Sequence, residues 1–187
     1  MFGAYAQLKT LNVADVQTPI AEVQQYLLAK YDERFNVHPR LFEDVVAEVF
    51  RSCGYSARVT AYSADGGIDV VLDNGRANTI GVQVKRYRNR ILVEEIRAFG
   101  GALVLNGHTS GIFVTTSDYS RGSVNAADGF STRGVPIELL DAERLYDALR
   151  ISRLSACSEW DERDWEDWFY EIRDLDDQMI YEDEGPF

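Results

Sequence analysis

The segment "HPRLFEDVVAEVFRSCG", residues 38 to 54, constrains the fold more than any other part of the chain. Phe42, Val45, Val46, Val49 and Phe50 recur at i, i+3, i+4, i+7 and i+8, the spacing of a helix with one wide apolar stripe, and Gly54 stands where such a helix can end. A stripe of that width has to be covered, and a sheet is the cover the following sequence offers. Strand patterns fall at about 55 to 60 ("YSARVT"), 68 to 72 ("IDVVL") and 79 to 86 ("TIGVQVKR"), the last two joined by the turn-rich "DNGRAN". They predict a meander. Helical spacing returns in Val93, Ile96, Phe99 and Leu103, followed by the apolar strand "GIFVTT", a helix over about 119 to 130, the short strand "PIELL" and a helix opened by Asp141. The predicted order is αβββαβαβα.

Two segments lie outside that order. Residues 18 to 35 predict a leading helix, with Thr18 as N-cap, Pro19 at the first helical position and Ile20, Val23 and Leu27 at helical spacing. Residues 151 to 187 form a tail in which "SEWD" has the pattern of a capping box and Trp165, Trp168, Phe169, Ile172 and Met179 share one side of a helix otherwise almost all Asp and Glu. The domain reading is therefore an N-terminal helical segment over 1–37, a central domain over 38–150 and an acidic Trp-rich helical tail over 151–187. At 187 residues and 45% apolar, one compact domain with an appendage is the size class expected.

Charge follows the same division. The net −12 would argue against nucleic acid, yet residues 1 to 150 carry 16 basic and 18 acidic side chains, whereas residues 151 to 187 carry 3 and 13. The acidity belongs to the tail. Within the near-neutral part Lys85, Arg86, Arg88, Arg90 and Arg97 fall inside thirteen residues, opposed only by Glu94 and Glu95, which predicts a local basic face. No apolar run is long enough for a membrane span and no export signal opens the chain, so a soluble, cytoplasmic protein is expected. Cys53 and Cys157 have no Cys or His neighbours at ligand spacing, which excludes a zinc knuckle and a disulfide framework and reads Cys53 as a small buried hydrophobe.

Chemistry concentrates in "DGGIDVVLDNGRANTIGVQVKRYRNR". Side chains alternate along a strand, so Gln83 and Lys85 project together while Val82 and Val84 point the other way. On the preceding strand Asp69 is expected to face with Val71, away from Ile68, Val70 and Leu72. Pairing across the turn would bring an acid, an amide and an ammonium together at one end of the sheet. Such a set suits phosphodiester hydrolysis. A hard divalent cation takes oxygen ligands from Asp69, the Gln83 carbonyl and a backbone carbonyl, lowers the pKa of its water and neutralises the phosphate, while Lys85 orients the nucleophile and stabilises developing charge. Glu43, at the border of the helix stripe near Val46 and Ala47, is placed to lean toward the sheet and add a second carboxylate.

The run "FEDVVAEVFRSCGYSARVT…DGGIDVVL…GVQVKRYR…VEEIRAFGGAL…GIFVTTSDYS" resembles the Mrr-like branch of the restriction endonucleases, whose motif is an aspartate followed by Gln/Glu-x-Lys. The likeness extends over about residues 39 to 150 in the family's order. It implies an α/β, three-layer restriction-endonuclease-like fold with a mixed central sheet, here with the added N-terminal helix and acidic C-terminal helix. It also implies a magnesium-dependent endonuclease, manganese being the alternative ion. Glu43, Asp69, Gln83 and Lys85 fall on the family's helix glutamate, metal aspartate, Gln/Glu position and lysine; the first three would hold the metal. Gln at the third position is common in this branch. The expected substrate is DNA and the expected role defence against foreign DNA. Double-strand cleavage needs two such sites, which makes a homodimer an expectation.

Around that set the assignments are local. Arg86, Tyr87, Arg88, Arg90 and Arg97 are candidates for contact with nucleic acid, Tyr87 by stacking. Asp65 is read as a turn residue, His38 as a helix-start residue and His108 as a loop residue, and Thr115, Thr116 and Ser117 as caps of the next helix. A glutamate at position 43 also has a simpler reading, as a first-turn residue favoured by the helix dipole. Two rival functions stand beside the nuclease: a catalytically silent DNA-binding module with the same fold, and a protein-interaction subunit that uses the tail. The tail itself is expected to pack on the domain, to compete with nucleic acid for the basic face, or to dock a protein partner.

Overall fold

The structure, a computed structural model, describes residues 11–61, 66–73, 75 and 79–155. Asp65 and residues 156–187 of the Trp-rich tail lie outside the described residues.

Helix α1 spans Ile20–Ala29 and is followed by a 3-10 turn, Tyr31–Asn36, and helix α2, Pro39–Ser52. Strands β1 (Ser56–Val59), β2 (Val70–Asp73) and β3 (Thr79–Lys85) come next. Helix α3 (Val93–Leu105), β4 (Ser110–Thr115), α4 (Arg121–Ser131), β5 (Ile137–Leu140) and α5 (Ala142–Ser155) complete the order. The five strands form one sheet in chain order. Its first half is antiparallel, with Val70 opposite Val82, and its second half parallel, with Val84 opposite Val114 and Val114 in turn opposite Leu140. A mixed sheet with β3 at its centre results.

The two faces are covered by different helices. Val70, Leu72, Val82 and Val114 pack with the α2 stripe, with Val23 and Leu27 of α1 and with Leu145 and Leu149 of α5. Val71, Phe113 and Ile137 pack with Ile96, Phe99 and Leu103 of α3 and Ala127 of α4. Each β–α–β unit of the parallel half lays its helix on this second face, and α5 returns to the first, so the layers number three. Every residue of the α2 stripe read from the sequence is buried. Gly54 ends that helix at φ +85°, where only a residue without a Cβ is unstrained. Truncating one large member such as Phe42 would remove about 3–5 kcal/mol of stability.

Several expectations need correction. The leading helix starts at Ile20 rather than Pro19, and the stretch to residue 35 breaks after Ala29 into the 3-10 turn. Pro19 sits at the cap position, and the Thr18 hydroxyl donates to the Asn12 carbonyl (2.7 Å) instead of accepting from the helix. Cys53 is half-buried, its thiol donating to the Val49 carbonyl at 3.1 Å. Ile68 packs with Val71 on the α3 side, not with Val70 and Leu72, because the pleat begins at Val70 and residue 68 still belongs to the turn of Gly66 and Gly67. His38 does open α2, its Nδ1 accepting from the Arg40 N–H, and Asp141 caps α5 through the Arg144 N–H at 2.9 Å. Among the described residues no helix is long and apolar enough to cross a membrane.

Candidate active site

At the end of β2 the antiparallel ladder closes with Val70 opposite Val82, and the Asp69 N–H extends it by donating to the Val82 carbonyl at 2.8 Å. Further along β3, the Val84 N–H has passed the last paired residue of β2. The Asp69 side chain takes it, Oδ2 accepting at 2.6 Å. The carboxylate therefore lies against the backbone of β3 between Gln83 and Lys85. Its own backbone is held from the other side, since the Thr60 N–H donates to the Asp69 carbonyl at 2.9 Å and the Thr60 hydroxyl to the Ile68 carbonyl at 2.7 Å.

Thr60 joins this corner to helix α2. Arg40 Nη1 donates to the Thr60 carbonyl at 2.7 Å and to Glu43 Oε2 at 2.9 Å. Glu43 is the fifth residue of α2 and lies beyond the first turn, so the dipole reading loses its basis. Its side chain is only 14% exposed. Burial raises its carboxyl above the ordinary range, Arg40 pulls the other way, and the charge of Asp69 raises it again. Two carboxylates thus lie close enough to feel each other's charge. Arg40 and Thr60 link the Glu43 side chain to the backbone of Asp69, just ahead of β2.

Gln83 is buried, in the middle of β3, with its Nε2 beneath the Gly66–Gly67 turn. A Cβ on Gly67 would stand 3.4 Å from that amide nitrogen, and the φ of +92° already disfavours one. Lys85 shares the strand face of Gln83 by alternation, opposite to the Val82 and Val84 side that packs on α2. Its Nζ lies 5.8 Å from the Tyr87 ring centroid. The Lys85 carbonyl accepts twice, from the Thr115 hydroxyl at 3.0 Å and the Thr116 N–H at 3.2 Å. The lysine backbone is pinned while its side chain is partly exposed.

Carboxylate and amide oxygens are the donor types that a hard dication such as magnesium takes. The mutual repulsion of Glu43 and Asp69 in a half-buried corner is what such an ion would relieve. Among the described residues no group of three His, Cys, Asp or Glu side chains converges.

The basic residues separate. Arg86 turns inward, its Nη1 donating to the Phe35 carbonyl and its Nε buried without a partner among the described residues. Burial, and then the neighbouring Arg88, hold its pKa below the ordinary guanidinium value. Tyr87 and Arg88 are exposed, and Arg90 pairs with Asp118 at 3.0 Å. Arg97 stands apart on α3, where with Phe130 and Arg133 it lines a cleft of about 580 Å³ between α3 and α4. Thr115 and Thr116 do not cap α4; the Thr116 hydroxyl donates to the Tyr87 carbonyl at 3.0 Å, and Ser120 is the cap. Their task is to stitch the loop after β3 to the loop after β4, which Ile91 and Asp118 continue through a 2.8 Å backbone bond. Arg40, Thr60 and Arg34 carry contacts that the sequence reading missed. The i, i+3 spacing of Arg40 and Glu43 was the one available signal.

A three-layer mixed-sheet domain with an acid, an amide and a lysine at one end of β2 and β3 has the build of the restriction-endonuclease class. The chain belongs to the restriction endonuclease family: the Mrr_cat family model, described as restriction endonuclease, matches residues 35–149. It is 34% identical over 116 residues to the type IV methyl-directed restriction enzyme EcoKMrr of Escherichia coli K12, a match covering 58% of this chain and 37% of that protein. It is 30% identical over 105 residues to the uncharacterised protein y4cE of Sinorhizobium fredii NGR234, covering 48% of this chain and 27% of the other. The chain therefore spans less than half the length of these relatives. Among solved structures, the DNA modification-dependent restriction endonuclease AspBHI has a similar fold, with a TM-score of 0.52 at 21% identity over 81% of this chain and 40% of that one.

Proposed function

We propose that this chain is a magnesium-dependent endonuclease that hydrolyses DNA phosphodiester bonds, with Asp69, Gln83 and Glu43 holding the metal and Lys85 beside the reacting phosphate. The observation that carries the proposal is the 2.6 Å bond from the Val84 N–H to Asp69 Oδ2, which sets a carboxylate at the backbone between Gln83 and Lys85. A bound divalent ion would supply a more acidic water and charge neutralisation at the phosphate. The side chains do the rest. The Lys85 ammonium orients the attacking water and lowers the cost of charge gathering on the phosphoryl oxygens. Water oxygen bonds to phosphorus and gives up a proton to solvent, one P–O ester bond breaks, and the departing sugar oxygen takes a proton from solvent. Gln83 contributes an oxygen without charge, so Glu43 matters to the balance of charge around a dication.

A role in restriction of foreign DNA is supported by family membership and by the restriction activity for which the E. coli relative is named. Purified protein incubated with supercoiled plasmid should nick or linearise it with magnesium, stop on chelation and resume when magnesium is restored. A shift in plasmid mobility without any strand break would instead leave a DNA-binding module.

A further inference from the structure

The 3-10 turn Tyr31–Asn36 brings a second group of cations to the end of the sheet. Arg34 Cζ lies 3.9 Å from the Tyr31 ring centroid and 4.4 Å from that of Phe35, and Arg88 Cζ lies 4.1 Å from the same Phe35 ring. Arg86 reaches this residue as well, through its backbone carbonyl. Three guanidinium groups converge on one phenylalanine.

Among the described residues acid does not balance them. Among the described residues the acidic neighbour of Arg34 is Asp32 at 4.0 Å, with its side chain fully exposed, a spacing and setting in which an ion pair contributes little. Arg88 has no ion pair among the described residues. Like charges gathered without counter-charge among the described residues favour an anion near them, and the Phe35 ring lies within cation–π distance of both guanidiniums.

Geometry ties the group to the site already described. Arg34 Nε donates to the Thr116 carbonyl at 3.2 Å, and the Thr116 N–H donates to the Lys85 carbonyl at 3.2 Å. Two hydrogen bonds thus separate Arg34 from the backbone of Lys85. Arg34 Nη1 donates to the Tyr31 carbonyl at 3.0 Å, so Nε and Nη1 fix the guanidinium plane and Nη2 is left over among the described residues. The Arg34 side chain is 15% exposed. Arg88 is exposed beside it.

We propose that Arg34 and Arg88, both seated against Phe35, clamp a backbone phosphate of bound DNA other than the one that is cut. Arg86 serves the clamp by anchoring Phe35. The inference rests on the DNA reading of the Lys85 site.

The test is duplex binding followed by fluorescence anisotropy over a series of salt concentrations, on a Lys85→Ala background with magnesium present so that the duplex stays whole. Arg34→Gln and Arg88→Gln should each weaken binding by about tenfold and reduce the slope of log affinity against log salt by about one, the signature of one lost phosphate contact. Because both arginines serve one phosphate, the double variant should lose little more than either single one. Arg34→Lys keeps the charge but not the fork and should keep the salt slope while binding more weakly. Arg150→Gln, on α5 and paired with Asp147, should change nothing. Thermal melting identifies any variant that fails to fold; Arg88, which has no side-chain hydrogen bond among the described residues, decides the matter if Arg34→Gln does so. An unchanged salt slope in folded Arg88→Gln overturns the clamp, and fully additive losses replace it with two independent contacts. Absence of duplex binding by the unsubstituted protein would instead overturn the DNA reading and the clamp with it.

Discussion

The backbone N–H of Val84 donates to Asp69 Oδ2 at 2.6 Å, so the residue between Gln83 and Lys85 fixes the acid that would work with them. One contact ties the Asp69 carboxylate to the backbone of the neighbouring strand. Asp69→Asn keeps an oxygen that can accept from Val84 but removes the charge a dication needs. The melting temperature should therefore move by only a few degrees, while plasmid cleavage falls by about 100-fold or more, measured side by side on the same preparation.

Arg40 bridges the Thr60 carbonyl and Glu43, and through Thr60 it reaches the backbone of Asp69. Arg40→Met should leave α2 intact yet release Glu43 from its set position. Magnesium affinity, followed by the concentration needed for half-maximal cleavage, should weaken by about 10–100-fold, the range usual for a residue that orients a ligand. An unchanged magnesium requirement would remove Arg40 from the account.

Helix α3 approaches the sheet closely over glycine. A Cβ at Gly111 would stand 2.4 Å from Leu103 Cδ1 and 2.7 Å from Phe99 Cζ, both of them buried. Gly111→Ala should cost about 1–3 kcal/mol in urea unfolding, the usual range for overpacking a core. Gly101, inside α3, should behave oppositely, because a Cβ added there would meet nothing within 4 Å. Gly101→Ala should stabilise by about 0.5–1 kcal/mol.

Burial pushes the Cys53 thiol up to about 12. The reactive form is the thiolate, so raising the pKa lowers reactivity at every pH below it. In a Cys157→Ser background, alkylation of Cys53 by iodoacetamide at pH 8 should be slower than for a free cysteine by on the order of a thousandfold, and urea should restore the rate. Fast labelling of the folded protein would show the half-buried thiol to be open.

Periodicity made much of this fold legible. Phe42, Val45, Val46, Val49 and Phe50 declared α2 because their spacing depends on the helix alone, and every one of them is buried. Ile68 was misplaced because alternation holds only within a pleat, and the pleat starts two residues later. Candidate residues on strands were easier to read than the side chains that hold them. Arg40 and Arg34 reach backbone carbonyls 20 and 82 positions away, and a carbonyl leaves no mark in a sequence. The threonines at the end of β4 show the same limit. Hydroxyls near a helix start suggested caps, but the parallel pairing of β3 and β4 placed the Lys85 and Tyr87 carbonyls within their reach instead.

The most direct test is the single-turnover rate of plasmid cleavage in magnesium for the unsubstituted chain and for Lys85→Ala, with DNA affinity measured on both. Loss of at least about 100-fold in rate, with binding within a few-fold, is the expected result for a lysine that acts on the reacting phosphate. Cleavage by Lys85→Ala at the unsubstituted rate would contradict the assignment of chemistry to this end of β3.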